Sequence, residues 1–189
     1  MPTVVFDFDK TLTEKDTVLG FLLETTDKSF MPARKMFFLF FAVLHKLGVI
    51  GNDRLKRAGI WLFLKNIPET AIREKATAYA NTIRLNSIYD TEFVLKYPNA
   101  IVATASYEDY VKPLCSDHML LAAKLDYKDG KVSGLKQNAY GSQKVALLNA
   151  EGINKIDIFY TDSFNDQPLM NISSVVFLVK NNTIKKIKG

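Results

Sequence analysis

Thr3-Val4-Val5-Phe6-Asp7-Phe8-Asp9-Lys10-Thr11-Leu12 is the stretch on which the fold turns. Residues 3–8 are mostly apolar and read as a buried strand. Two carboxylates then stand two positions apart, just where that strand should run out. Side chains alternate along a strand, so Asp7 and Asp9 share a face. Two adjacent carboxylates in an apolar setting are costly unless something positive offsets them. The simplest candidate is a hard divalent cation such as Mg²⁺.

Working outward, further strand-like segments fall at residues 100–105 (AIVATA), 120–127, 131–135, 156–161 (IDIFYT) and 175–179 (VVFLV). Asp129-Gly130 between the third and fourth of these six segments is a hairpin signal. Helical patterns separate most of the others, which predicts an α/β layer fold with a mainly parallel sheet. Residues 16–90 have helical periodicity and no convincing strand, with Gly48, Gly51-Asn52 and Asn66-Ile67-Pro68 as punctuation. The expected organisation is a core domain over residues 1–15 and 91–189, with a helical domain over 16–90 inserted after the first strand.

Composition narrows the function classes. The chain has 189 residues, 48% hydrophobic and 24% charged, as a globular protein does. Its one cysteine, Cys115, cannot form an internal disulfide and suits a reducing cytoplasm. Cys115 falls in an apolar pattern with Tyr110, Val111 and Leu114, so a buried inert thiol is expected. His45 and His118 share no ligand spacing with it, which argues against zinc. No basic segment precedes Val4, so no secretory signal is expected. The longest apolar run, residues 36–44 (MFFLFFAVL), is too short to span a bilayer. The net charge of +5 is uneven: residues 28–68 hold eight Lys and Arg against Asp53 alone. The basic last ten residues read as a solvated, frayed tail. A basic insert on an acidic core suits an anionic substrate rather than general nucleic-acid binding.

In a parallel sheet, functional groups gather beyond the carboxyl ends of the strands. Asp7, Asp9 and Thr11 lie there, as do Thr104 and Ser106. Lys144 lies in the first turn of a helix whose expected N-cap is Ser142. Asp162, Ser163, Asn165 and Asp166 follow the strand 156–161. Each alone has a plain structural reading as a turn, cap, strand or surface residue. Their order and spacing together are much harder to explain that way.

DFDKTLT, IVATAS, the lone Lys144 in YGSQKVALL, and YTDSFNDQPLM together resemble the haloacid dehalogenase (HAD) superfamily. The helical insert resembles the cap of its phosphoserine-phosphatase-like branch. The resemblance implies a Rossmann-like three-layer core and a Mg²⁺-dependent phosphatase acting through an aspartyl-phosphate. Asp7 would be the nucleophile and Asp9 the general acid and base. Thr104 and Lys144 would hold phosphoryl oxygens, with Thr11, Ala105 and Ser106 lining the phosphate site. Mg²⁺ would be bound by Asp7, the Asp9 carbonyl and Asp162, with Asn165 and Asp166 orienting that shell. Four positions depart from the family pattern. Lys10 stands where glycine is commoner, and Ala105-Ser106 where phosphoserine phosphatases carry Gly-Gly. Asp16 stands where they place a glutamate that reads the substrate amino group.

The insert should select the leaving group. A helix apolar on most faces is normally buried, so packing within the cap is the default for the Phe-rich run. The alternative is contact with an anionic membrane surface or an acyl chain, aided by Arg34, Lys35, Lys46, Arg54, Lys56 and Arg57. That alternative weakly resembles the HAD-type phosphatases of phosphatidylglycerophosphate, so the substrate is a small phosphorylated metabolite or a lipid phosphate. Two competing functions are a phosphate-accepting receiver domain and a non-catalytic HAD-like binding module. A receiver lacks a long helical insert after its first strand, and intact acidic positions argue against a degenerate module.

Overall fold

The computed structural model describes residues 2–26, 31–180 and 182–189; Lys28 of the basic insert lies outside them. Seven strands form one sheet in the order β4-β3-β2-β1-β5-β6-β7. They are β1 Val4–Phe6, β2 Ile101–Tyr107, β3 Met119–Lys128, β4 Lys131–Gln137, β5 Ile156–Thr161, β6 Ser173–Lys180 and β7 Thr183–Lys188. β1 lies at the centre, parallel to β2 and β5; β3 and β6 extend the parallel sheet, and β4 and β7 close its edges antiparallel. A central strand covered on both faces reads as an unbroken apolar run, as Val4-Val5-Phe6 does.

Alternate strand residues feed two apolar clusters, one on each face. Val5, Ala103 and Phe159 pack with Leu148 of α6 (Ser142–Ala150) and Leu169 and Met170 of α7 (Gln167–Asn171). Val4, Phe6, Val102 and Tyr160 pack with Phe93 of the π-helical turn Tyr89–Val94, with Tyr110 of α5 (Glu108–Val111) and with the insert. Phe6 is fully buried at the middle of this second cluster. Its ring stacks on Tyr160 at 4.3 Å and meets Phe93 edge-on at 5.3 Å.

The insert is helical: α1 Val18–Thr25, α2 Met31–Lys46, α3 Asn52–Gly59, the π-helical turn Ile60–Leu64 and α4 Glu69–Ala80. It shares the core rather than standing apart. Phe21, Leu22, Phe63, Leu64 and Ile72 belong to the same cluster as Phe6. Backbone bonds also tie it to β4, with Asn66 N donating to Val132 O and Val132 N to Ile67 O.

The structure differs from expectation in three places. β1 ends at Phe6, because the chain turns where Thr11, Leu12 and Thr13 all donate to Phe8 O. The basic tail is not frayed: β7 pairs with β6, and Lys188 Nζ donates to Met170 O at 2.7 Å. Its lysines suggested a solvated end, but lysines also suit an exposed edge strand. Finally, α2 is not packed core, since it has no buried residue. It leans on the rest of the insert through one face, with Phe38 edge-on to Phe63.

Removing the Phe6 ring leaves a cavity that neither Tyr160 nor Phe93 can fill. Phe6→Ala should destabilise the protein by about 3–5 kcal/mol in denaturant titrations, with activity at low denaturant largely retained.

Candidate active site

Asp7 is the first residue past β1, yet its N–H still donates to Tyr160 O at 2.9 Å, so the sheet fixes its backbone. Lys10 then adopts φ +56°. Glycine enters this left-handed region without strain, which explains why a glycine suits the position and what the lysine costs. The turn brings Asp7 and Asp9 to one cavity of about 190 Å³, also lined by Asp16, Thr104, Ala105, Tyr140, Lys144, Asp162, Asn165 and Asp166. A second cavity of about 560 Å³ shares Lys10 and Asp162 with it.

Lys144 is buried, and its Nζ donates to Asp7 Oδ1 at 2.8 Å and to both oxygens of Asp166 at 2.9 Å. These two carboxylates hold the ammonium charged, well above the ordinary lysine range, despite its burial. One cation does not balance two buried anions. Burial outweighs Lys144 at Asp7, with Asp166 adding repulsion, so Asp7 is pushed up to about 7. Asp7 Oδ2 accepts no hydrogen bond among the described residues.

Asp9 is bound differently. Its Oδ1 accepts from Thr17 N at 2.9 Å and Thr17 Oγ1 at 2.5 Å, and its Oδ2 accepts from Ser106 Oγ at 2.5 Å. Three donors favour the carboxylate, but burial and the charge of Asp16 prevail and raise Asp9 to about 6. Thr17 is fixed in turn: Tyr110 Oη lies 2.8 Å from its hydroxyl, and Tyr79 Oη donates to its carbonyl at 2.7 Å. Insert and core thus grip Asp9 together.

Two of the sequence candidates do not line this cavity. Thr11 is fully buried, and its hydroxyl finds no partner among the described residues. Ser106 spends its hydroxyl on Asp9. Thr104 lines the cavity, and its Oγ1 accepts from Ser106 N at 3.0 Å. Asp16 Oδ1 accepts from Val18 N at the start of α1. Asp162 is half-buried, and desolvation raises it above the usual carboxylate range against the pull of Lys10. Asn165 is exposed, its N–H donating to Ser163 Oγ. Lys144 lies in the first turn of α6, but the cap is Gly141 at φ +56°, and Ser142 is the first helical residue. Cys115 is buried, which raises its thiol to about 12 and keeps it inert.

Sequence reasoning missed a further group. Lys56 was counted among the surface cations of the insert. It is buried instead, and its Nζ donates to Ala105 O and to Asn138 Oδ1 at 2.7 Å. Burial and the neighbouring Lys144 lower it to about 7. The signal lay in α3 itself: Lys56, Gly59 and Ile60 recur at helical spacing on the buried side, whereas Arg54 and Arg57 fall outside.

The family profile of haloacid dehalogenase-like hydrolases matches residues 4–171, and the chain belongs to that family. Comparison with curated proteins gives no significant match. Among solved structures, a HAD family hydrolase from Salmonella enterica serovar Typhi aligns at TM-score 0.64 and 14% identity, over 92% of this chain and 61% of that one. A protein of unknown function from Bordetella pertussis Tohama I aligns at TM-score 0.69 and 16% identity, over 89% and 85%. A phospho-aspartyl intermediate analogue of phosphoserine phosphatase aligns at TM-score 0.59 and 21% identity, over 93% and 84%. The fold is therefore that of the phosphoserine-phosphatase-like members, although the chain spans less than two thirds of the length of the Salmonella hydrolase.

The lowered pKa of Lys56 has a consequence for stability. Below pH 7 both folded and unfolded chains carry its proton, and the folded state bears the full cost of burying the charge. Between 7 and the ordinary lysine value of 10.5 the unfolded chain binds more protons, so this cost falls as pH rises. In metal-free protein, the stability of wild type relative to Lys56→Met should therefore rise between pH 7 and 10, by up to about 1.4 kcal/mol per pH unit in denaturant titrations.

Proposed function

We propose that the protein is a Mg²⁺-dependent phosphatase that hydrolyses a phosphate monoester through an aspartyl-phosphate on Asp7. The observation that carries this reading is the arrangement around one cavity: a carboxylate with an oxygen left free among the described residues, a second carboxylate gripped by Thr17 and Ser106, and a buried ammonium. An oxygen of Asp7 attacks phosphorus in line, and the bond from phosphorus to the leaving oxygen breaks. Asp9, in its protonated form, gives its proton to that oxygen. The Asp9 carboxylate then takes a proton from water as the water oxygen attacks phosphorus, which releases phosphate and frees Asp7. A value near 6 gives Asp9 both forms around neutral pH, as a group that acts first as acid and then as base requires. Lys144 keeps Asp7 oriented and offers positive charge to the transferring group, while Thr104 offers a hydroxyl to its oxygens.

The donor set fits Mg²⁺. Asp7 and Asp162 bring hard oxygens to the cavity, and the Asp9 carbonyl would complete the protein's share. Among the described residues no cluster of three or more His, Cys, Asp or Glu forms a ready-made cage. Bound waters would supply the rest of the shell, since Mg²⁺ keeps several of its waters and takes only one or two carboxylates. Carboxylates outnumber cations around the cavity, which favours the same conclusion. When bound, the ion would hold Asp7 ionised and withdraw charge from the phosphoryl oxygens. Asp166 has both oxygens on Lys144, so its part is to position that ammonium.

The receiver-domain reading loses to the family match, which runs through the helical insert. The substrate class stays as proposed from sequence: a small phosphorylated metabolite or a lipid phosphate. Asp16, at the cavity edge, would face the leaving group.

With an aryl phosphate and Mg²⁺, Asp7→Asn should abolish turnover while leaving the circular dichroism spectrum unchanged. Activity well above background in that variant would remove Asp7 as nucleophile. Lys144→Ala should lose about 100-fold or more in rate. A change below about threefold, or about 0.6 kcal/mol, would exclude Lys144 from the chemistry. Chelation should abolish activity, and added Mg²⁺ should restore it; activity indifferent to chelation would contradict the metal assignment.

A further inference from the structure

The least expected surface of the molecule is the outer face of the α2–α3 hairpin. Met36, Phe40, Val43 and Leu47 recur at four- and three-residue steps, so they line one ridge of α2 and its extension. Val49 follows in the loop, and Trp61 lies in the π-helical turn that packs Phe63 on Phe38. These six side chains are each between 48% and 70% exposed. Isolated exposed apolar residues are ordinary, but a continuous ridge of large ones marks an interaction surface. The inner side of α2 already serves the fold, and among the described residues none buries this ridge.

Charge decides the occupant. Lys35, Lys46 and Arg54 are exposed on the same hairpin, and Asp53 is the one acid from residue 31 to 68. That acid is already paired with Arg57 at 2.7 Å. A second copy of this chain, docked about a two-fold axis, would set these cations against themselves with no acid to meet them. An anionic bilayer complements both features, taking the cations at its headgroups and the apolar ridge just beneath. No helix among the described residues is long and apolar enough to cross a membrane.

We propose that the outer face of the α2–α3 hairpin, with Trp61, docks on the surface of anionic lipid bilayers. Lys56 takes no part, because it is buried toward the core. The docking does not depend on the chemistry assigned to Asp7, so each stands or falls separately.

Trp61 is the sole tryptophan and reports on the contact directly. The full chain is mixed with vesicles of phosphatidylglycerol and phosphatidylcholine at low salt, and with pure phosphatidylcholine vesicles. Co-sedimentation with the anionic vesicles and a blue shift of tryptophan emission are expected. Binding should weaken by about tenfold or more on pure phosphatidylcholine and in a Lys35→Glu/Lys46→Glu variant. A Phe40→Asp/Leu47→Asp variant should also lose binding while turning over a soluble aryl phosphate at the wild-type rate. Absence of sedimentation at low salt would overturn the proposal. So would sedimentation without an emission shift, or binding unaffected in both variants. Concentration-dependent dimers that Phe40→Asp dissolves, with no vesicle binding, would assign the face to self-association instead.

Discussion

Lys144 stands between two buried carboxylates, and most of the site follows from that contact. Its ammonium lies 2.8 Å from Asp7 and 2.9 Å from Asp166, and all three groups are largely buried at the wall of the cavity. Breaking such a group by removing one partner is far costlier than the group's net worth to stability, because a bare buried charge remains. The three elements that supply it are therefore locked in register: the end of β1, the first turn of α6 and the loop after β5. The arrangement is still one positive charge short. Burial, with the repulsion of Asp166 added to it, outweighs Lys144 and pushes Asp7 up to about 7, and the proposed cation would supply the missing charge. Structure and proposed chemistry meet in this imbalance.

The core was legible in the sequence because its signals are local. Val4-Val5-Phe6 reads as a central strand since both faces of β1 are covered, and Asp129-Gly130 marks its hairpin because both residues take positive φ. The polar cluster was legible because parallel strands deliver their carboxyl ends to one edge. What sequence could not supply was direction. Ser106 looked like a phosphate ligand but turns its hydroxyl to Asp9, and Asp166 takes Lys144 on both oxygens, a partnership that spacing alone did not reveal. Both choices depend on contacts between elements far apart in the chain, to which spacing is blind.

The insert repeats this lesson in the opposite sense. Lys56 and part of the Phe-rich run were misplaced by type: the lysine is inside, and Phe37 and Phe40 are outside. Helical periodicity is the better guide, since Lys56 lies on the inner stripe of α3 and Phe40 on the outer ridge of α2. A buried lysine on the carbonyl of Ala105 and an insert threonine on Asp9 mean that the insert helps build the catalytic edge of the core.

The central claim is that Asp7 carries the phosphoryl group. Rapid quenching during turnover, followed by borohydride reduction and peptide mass spectrometry, tests it most directly. Reduction of an acyl phosphate converts that aspartate to homoserine. Homoserine at position 7, dependent on substrate and absent when substrate is withheld, is the expected result. Homoserine at Asp9 or Asp162 instead, or at no aspartate while turnover proceeds, would contradict it.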